Sequence, residues 1–195
     1  MSSHHFVKED QEPALLVLNA KAISFEKVQE LLEWSPTVIV SEEVVEDVIG
    51  WGIKIDIVLC EEAKIISLKE SLIEQAPIRF ISYHNQREIL STAYHFLTAS
   101  KYKAVNILIK DQTQLDFIQT FVGMNVEVFY EGKRWVYIHS RKFEKWVAEG
   151  TQFFIYTKLL AVPFKKIGFS DEMKCVKDGS VSIEGCEAFW LGENL

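Results

Sequence analysis

The sequence predicts an α/β protein, with a mainly parallel sheet domain followed by a small C-terminal β-sandwich. Three observations predict it. Between residues 14 and 122, apolar strand-like runs alternate with helical stretches, the pattern of βαβ units. Beyond Gly123 the helical period disappears and only short strand-like runs remain, as in a sandwich or barrel. The segment 38–62, VIVSEEVVEDVIGWGIKIDIVLCEE, reads as strand, helix, Gly52 turn and strand, with acidic residues at both strand carboxyl ends. The expected organisation is a polar leader over 1–13, an α/β domain over 14–124 and a β-sandwich over 125–195.

Each element has a local reason. Residues 14–18, Ala-Leu-Leu-Val-Leu, form a run apolar enough for a strand buried on both faces. Ser24 is placed to cap a helix carrying Phe25, Val28, Leu31 and Leu32 on one face, and Ser35-Pro36 stops it. Strands follow at 37–40 and 55–59, separated by a short helix over 42–50. Residues 64–75 are helical in part, Pro77 breaks them, and 78–82 is a fourth strand. The clearest helix is 86–99, with Ile89, Ala93, Phe96 and Leu97 at helical spacing. A fifth strand at 105–109 and a helix over 112–122 complete a Rossmann-like sheet. The later strands fall at 126–130, 134–140, 151–157, 164–169, 180–183 and 188–191. Glu131-Gly132 and Asp178-Gly179 are expected hairpin turns.

Composition narrows the function classes. In a chain of 195 residues, 48% hydrophobic and 12% aromatic residues supply a packed core and argue against disorder. With 21 basic and 28 acidic residues the net charge is −7, which disfavours nucleic acid and anionic membrane as partners. The odd cysteines Cys60, Cys175 and Cys186 lack metal-ligand spacing and point to a reduced compartment. The leader has no secretory pattern, and no apolar run approaches the ~20 residues of a membrane span. A soluble, cytoplasmic protein is expected.

In an open parallel sheet, ligands bind outside the carboxyl ends of the strands. Acidic groups gathered there suit a metal–phosphate site, because a polyphosphate needs its charge neutralised and its reacting oxygens aligned. The candidates lie in that zone. Glu42-Glu43-Val44 follow the second strand and Cys60-Glu61-Glu62-Ala63-Lys64 the third. His84-Asn85-Gln86-Arg87 follow the fourth and Gln112-Thr113-Gln114-Leu115-Asp116-Phe117 the fifth. Each has a plainer reading beside the functional one. Glu42 and Glu43 suit a helix N-terminus through its dipole, Glu61 and Glu62 a solvated loop, and Asn85 a helix cap. Trp135, Tyr137, Phe143 and Trp146 form an aromatic group that either stacks on a ring or packs the core.

The spacing of 38–62 and the order of the domains resemble the thiamine pyrophosphokinases, over roughly residues 14–195. The motifs are altered. Where that family writes Asp-Gly-Gly, the chain has Glu42-Glu43-Val44, and for Gly-Asp-Phe-Asp-Ser it has Cys60 to Lys64, with Glu61 keeping the first acid. For Asp-Gln-Asp-Thr-Thr-Asp it has His84 to Ile89, and for Gly-Gly-Arg-Leu-Asp-His it has Gln112 to Phe117, keeping Leu115 and Asp116. The segment Gly179 to Glu184 resembles the thiamine-side Ser-x-Ser-Asn-Glu run.

The resemblance implies an ATP- and Mg²⁺-binding α/β domain, a sandwich that contributes to a thiamine site, and a homodimer. The reaction it implies is diphosphoryl transfer from ATP to thiamine. Carried over residue by residue, it places Glu61 and Asp116 in catalysis, Glu42 and Glu61 on Mg²⁺, and Asn85, Gln86 and Gln114 on the nucleotide. Ser180 and Ser182 take the thiamine side. The missing glycines, Arg and His remove most of the groups that handle phosphate. A catalytically degenerate relative that binds a nucleotide or thiamine-like ligand is the expected function. An active transferase, using Mg²⁺ in that case, and a structural protein on the same fold are the alternatives.

Overall fold

A computed structural model describes residues 12–157, 164–170 and 172–195. Apart from Glu12 and Pro13, the expected leader lies outside the described residues. The chain divides into two compact units, Met1–Glu131 and Gly132–Leu195.

In the first unit, strands β1 (Ala14–Val17), β2 (Val38–Ser41), β3 (Ile57–Glu61), β4 (Arg79–Tyr83), β5 (Ala104–Leu108) and β6 (Asn125–Tyr130) form one parallel sheet in the order β4-β3-β2-β1-β5-β6. β1 lies between β2 and β5, with Leu16 opposite both Ile39 and Ile107, so the strand order reverses beside β1. All four β1 residues are buried, which explains its unbroken apolar text. Leu15 and Val17 join a core with Val38, Val40, Val58 and Cys60. Against it pack Val28 of helix α1 (Phe25–Leu32), Val45 and Val48 of α2 (Val45–Gly50), and Ile65 and Leu68 of α3 (Ile65–Ser71). Helix α4 (Ile89–Ala99) buries Ile89, Leu90, Ala93 and Leu97, the expected stripe with Leu90 fully inside and Phe96 half-covered.

Two expectations change here. The helix expected over 112–122 shrinks to a 3-10 turn and the single turn α5 (Leu115–Ile118). Asp111 and Gln114 close a capping box around its start, and Gly123, at φ 77°, turns the chain toward β6. Residues 126–130, read as the first sandwich strand, instead run parallel to β5 as β6.

The second unit holds two antiparallel sheets. One is β7 (Lys133–Ile138), β12 (Phe189–Asn194) and β9 (Phe153–Tyr156), with β12 central. The other is β10 (Phe164–Ile167), β11 (Gly179–Gly185) and β8 (Lys142–Val147), with β11 central. Val147, Phe153, Cys175, Val181, Ile183, Phe189 and Leu191 form its core. Gly192 is required by close approach: a Cβ there would come within 2.9 Å of three ring atoms of Trp135, which lies across it from β7. Glu131 and Gly132 take φ values of 49° and 70°, the positive pair of a tight turn. Asp178-Gly179 closes no hairpin; Asp178 Oδ1 accepts the Glu149 N–H at 2.7 Å and Gly179 opens β11.

Candidate functional site

The four strand ends from β2 to β5 share one local form. Each runs into a 3-10 turn, Glu42–Val44, Glu62–Lys64, Gln86–Glu88 or Gln112–Gln114, and then into a helix that opens on Val45, Ile65, Ile89 or Leu115. The cap positions are Ser41, Glu61, Asn85 and Asp111. Asn85 Oδ1 accepts the Arg87 N–H at 3.0 Å, and Asp111 Oδ1 accepts the Thr113 N–H at 2.7 Å, so both act as N-caps. Ser41 and Glu61 make no side-chain cap bond.

Glu42 turns back across the neighbouring strand instead. Parallel pairing of β2 and β3 brings their ends together, and Glu42 Oε2 accepts the Glu61 N–H at 3.0 Å. Its Oε1 receives the Lys64 ammonium at 2.8 Å, and the Glu42 side chain is only 3% exposed. The hydrogen bond and charge of Glu42 raise the Lys64 pKa above the usual lysine value. Glu43 points the other way, pairing with Lys110 beyond β5 and accepting from Gln86 Nε2 at 2.5 Å. Burial pulls the Lys110 ammonium below its usual pKa while Glu42 opposes the shift. At the reversal of strand order, Asn19 Nδ2 donates to the Ile109 carbonyl at 3.2 Å, lacing the ends of β1 and β5 together.

Two polar atoms near these ends, Ser41 Oγ and Asp116 Oδ1, stay buried without a hydrogen-bond partner. Tyr83 ends β4, beside the Glu42 carboxylate. Burial first, then the charge of Glu42, push its pKa well above the ordinary tyrosine value, so it remains a protonated donor. The same two causes raise the Cys60 thiol.

Of the residues singled out from sequence, Glu42, Glu61 and Gln86 meet at this edge of the sheet, together with Glu43. Asn85 and Gln114 are spent on capping; Gln114 Oε1 accepts the Lys110 and Asp111 N–H groups at 2.8 and 3.2 Å. Ser180 and Ser182 lie in the second unit, on the face of β11 opposite the buried Val181 and Ile183, and Ser180 is paired with the exposed Trp146 of β8. Three of the four aromatic residues follow the packing reading rather than forming a stacking group. Trp135 is buried, Tyr137 packs on Trp190 at 5.1 Å, Phe143 packs on the core residue Phe153 at 5.5 Å, and Trp146 faces solvent. Lys64, Lys110 and Tyr83 were missed. Lys64 sat inside a segment read only for its acids, and Lys110 follows a strand whose turn was read only for its polar run.

No family model matches the sequence, and no curated protein matches it. Among solved structures, a thiamine pyrophosphokinase from Bacillus subtilis superposes with a TM-score of 0.63 at 8% identity, over 93% of this chain and 97% of that one. The fold is that of the thiamine pyrophosphokinases. The Candida albicans thiamin pyrophosphokinase gives 0.69 at 8% identity, over 97% of this chain and 91% of that one, and the yeast thiamin pyrophosphokinase 0.55 at 12%, over 96% and 87%.

That fold family implies Mg²⁺. A Mg²⁺ ion needs near-octahedral oxygen ligands at about 2.0–2.1 Å. Here both Glu42 oxygens are engaged by the Glu61 amide and Lys64, and Glu43 is engaged by Lys110 and Gln86. Among the described residues, no group of three or more His, Cys, Asp or Glu side chains gathers at metal-holding spacing. The side chains present do not fit a resident Mg²⁺, because lysine ammonium groups stand among the carboxylates where a cation would bind. Among the same residues, no helix is long and apolar enough to cross a membrane.

Proposed function

We propose that this chain is a thiamine pyrophosphokinase-like protein that binds a small charged ligand, a nucleotide or a thiamine-like cation, at the strand carboxyl ends without transferring diphosphate. The observation that carries the reading is the closure of Glu42 by the Glu61 amide and Lys64. A carboxylate whose two oxygens are already bonded offers a metal–phosphate group little, and no step through Mg²⁺ follows from it. Ligand binding is supported by the unsatisfied Ser41 and Asp116 atoms, since a buried polar group without a partner costs free energy that a ligand or water recovers. Lys64 and Lys110 supply the local positive charge that a phosphate group would meet.

The test pairs thermal stabilisation with an assay for AMP release. ATP, with or without Mg²⁺, or thiamine should raise the unfolding temperature saturably, while thiamine-dependent AMP stays at background. Thiamine-dependent AMP production that Glu61→Ala abolishes would establish a working transferase. No stabilisation by either ligand would leave an interaction protein on this fold.

The reading includes a homodimer. Trp34, Ile66 and Ile73 are large apolar side chains left mostly exposed in the first unit, the kind of surface that oligomers cover. Light scattering at micromolar concentration should give about twice the 22.5 kDa chain mass. A mass of one chain across that range rules the dimer out.

A further inference from the structure

The amino edge of the parallel sheet, opposite the strand ends described above, holds an open cleft of about 520 Å³. The fold makes it by where two helices stop. α1 gives way at Ser35, which takes φ 52° and returns its N–H to the Leu32 carbonyl at 2.9 Å before Pro36 leads into β2. α4 stops in a similar manner, with the Tyr102 N–H on the Leu97 carbonyl at 3.0 Å. The polar lining of the cleft is Glu12, Ser35, Thr37, Asp56, Ser100 and Tyr102.

Its charge has one sign. Glu12 stands two residues ahead of β1 and Asp56 one ahead of β3. Asp56 Oδ2 accepts the Val38 N–H at 2.9 Å, a neutral partner that leaves the charge in place. Among the described residues neither carboxylate has an ion pair. The cations at neighbouring strand starts are engaged elsewhere: Lys54 Nζ donates to the Gln75 and Pro77 carbonyls, and the Arg79 guanidinium lies over the Phe96 ring at 5.2 Å. Neither α1 nor α4 carries a basic residue in its last turn, and Lys101, just past α4, is exposed and outside the lining. Both helix dipoles therefore add negative potential at this edge. Hydroxyls complete the lining. Tyr102 Oη donates to Thr37 Oγ1 at 2.6 Å, which leaves the Tyr102 oxygen to accept, and Ser35 and Ser100 stand at the two helix ends.

We propose that this cleft binds a linear diamine, two ammonium groups on a flexible alkyl chain, either free or as the end of a longer polyamine. One ammonium lies at Glu12 and the other at Asp56 Oδ1, the oxygen that Val38 does not hold. β1 and β3 are two places apart in the sheet, about 10 Å, a separation that a short chain with a charge at each end spans. The hydroxyl oxygens of Ser35, Ser100 and Tyr102 accept the remaining N–H groups. The site lies at the opposite edge of the sheet from Glu42 and Glu61, and its fate does not depend on the reading of that edge.

The experiment titrates the full chain with 1,4-diaminobutane, spermidine, 1-aminobutane and 1,4-butanediol, following amide NMR signals. Saturable shifts centred on Thr37, Ile57, Ser100 and Tyr102 are expected. Diaminobutane should bind at least about tenfold tighter than aminobutane, because the second ammonium adds a charge-assisted hydrogen bond. Spermidine held more tightly than diaminobutane assigns the longer polyamine, and equal or weaker binding the free diamine. Glu12→Gln, at a residue with no ion pair, should leave the unfolding temperature in place and bring diaminobutane down to the aminobutane level. Asp56→Asn, whose carboxamide oxygen still accepts the Val38 N–H, should do the same. Glu184→Gln, at an exposed acid of the second unit, should change nothing. Absent or linear shifts overturn the proposal, as does diaminobutane binding no tighter than aminobutane or the diol. A diamine preference that survives Glu12→Gln overturns it too. So does an equal loss with Glu184→Gln, which would leave only a general attraction of cations to an acidic chain.

Discussion

Phe189→Ala should cost about 3–5 kcal/mol, the usual range for deleting a buried aromatic ring. Phe189 is 1% exposed and meets Phe164 edge-on, with ring centroids 5.1 Å apart at 80°. The pair ties β12 of one sheet to β10 of the other, so truncation leaves a void between the sheets that neighbouring side chains fill poorly. The core of this unit is small, and small units hold little stability in reserve. Amide hydrogen exchange should show the loss locally. Protection of β11 and β12 should fall by at least about a hundredfold, while the β1 and β5 amides change much less. A loss below about 1 kcal/mol by denaturant titration would mean that Phe189 is not the keystone between the sheets.

The helix and strand periods of the first unit were legible because its sheet is buried on both faces. The runs at residues 14–18, 37–40 and 55–59 are nearly pure aliphatic, and β1, β2 and β3 fall on or within a residue or two of them. The misreadings have local causes. β6 carries Glu127 among its apolar residues, a half-exposed pattern that looks antiparallel although the strand runs parallel to β5. β8 went unseen because an inward position, Lys145, is charged, and the alternation of Phe143 and Val147 breaks there. That lysine is inward because Glu193 waits for it on the facing sheet, a reason held in tertiary structure rather than in local sequence.

The candidate site divides in the same way. The acids at the ends of β2 and β3 could be placed on one edge from spacing alone, and Glu42 and Glu61 do meet there. What sequence could not show is that Glu42 and Glu43 each have an internal cation. Lys64 reaches Glu42 across the β2–β3 pair, and Lys110 reaches Glu43 from beyond β5, two strands away in the sheet. Two of the acids expected to suit a metal–phosphate site, Glu42 and Glu43, are instead held by Lys64 and Lys110.

Glu42→Ala should cost about 2–3 kcal/mol, and the variants around it tell which bond matters. Removing the carboxylate leaves the Glu61 N–H without its acceptor at a site that the Glu42 side chain, 3% exposed, otherwise shields from water. It also releases Lys64, but that side chain is 53% exposed and water takes over its charge, so the ion pair contributes little. Lys64→Ala should therefore be far milder. Glu42→Gln should fall between the two, because its carboxamide oxygen still accepts the Glu61 N–H while its NH2 group faces the Lys64 ammonium. The measured order in urea titrations should be Glu42→Ala worst, Glu42→Gln intermediate and Lys64→Ala mildest. If Lys64→Ala proved as costly as Glu42→Ala, the lysine would be holding Glu42 in place, and the backbone bond to Glu61 would be its consequence rather than its cause.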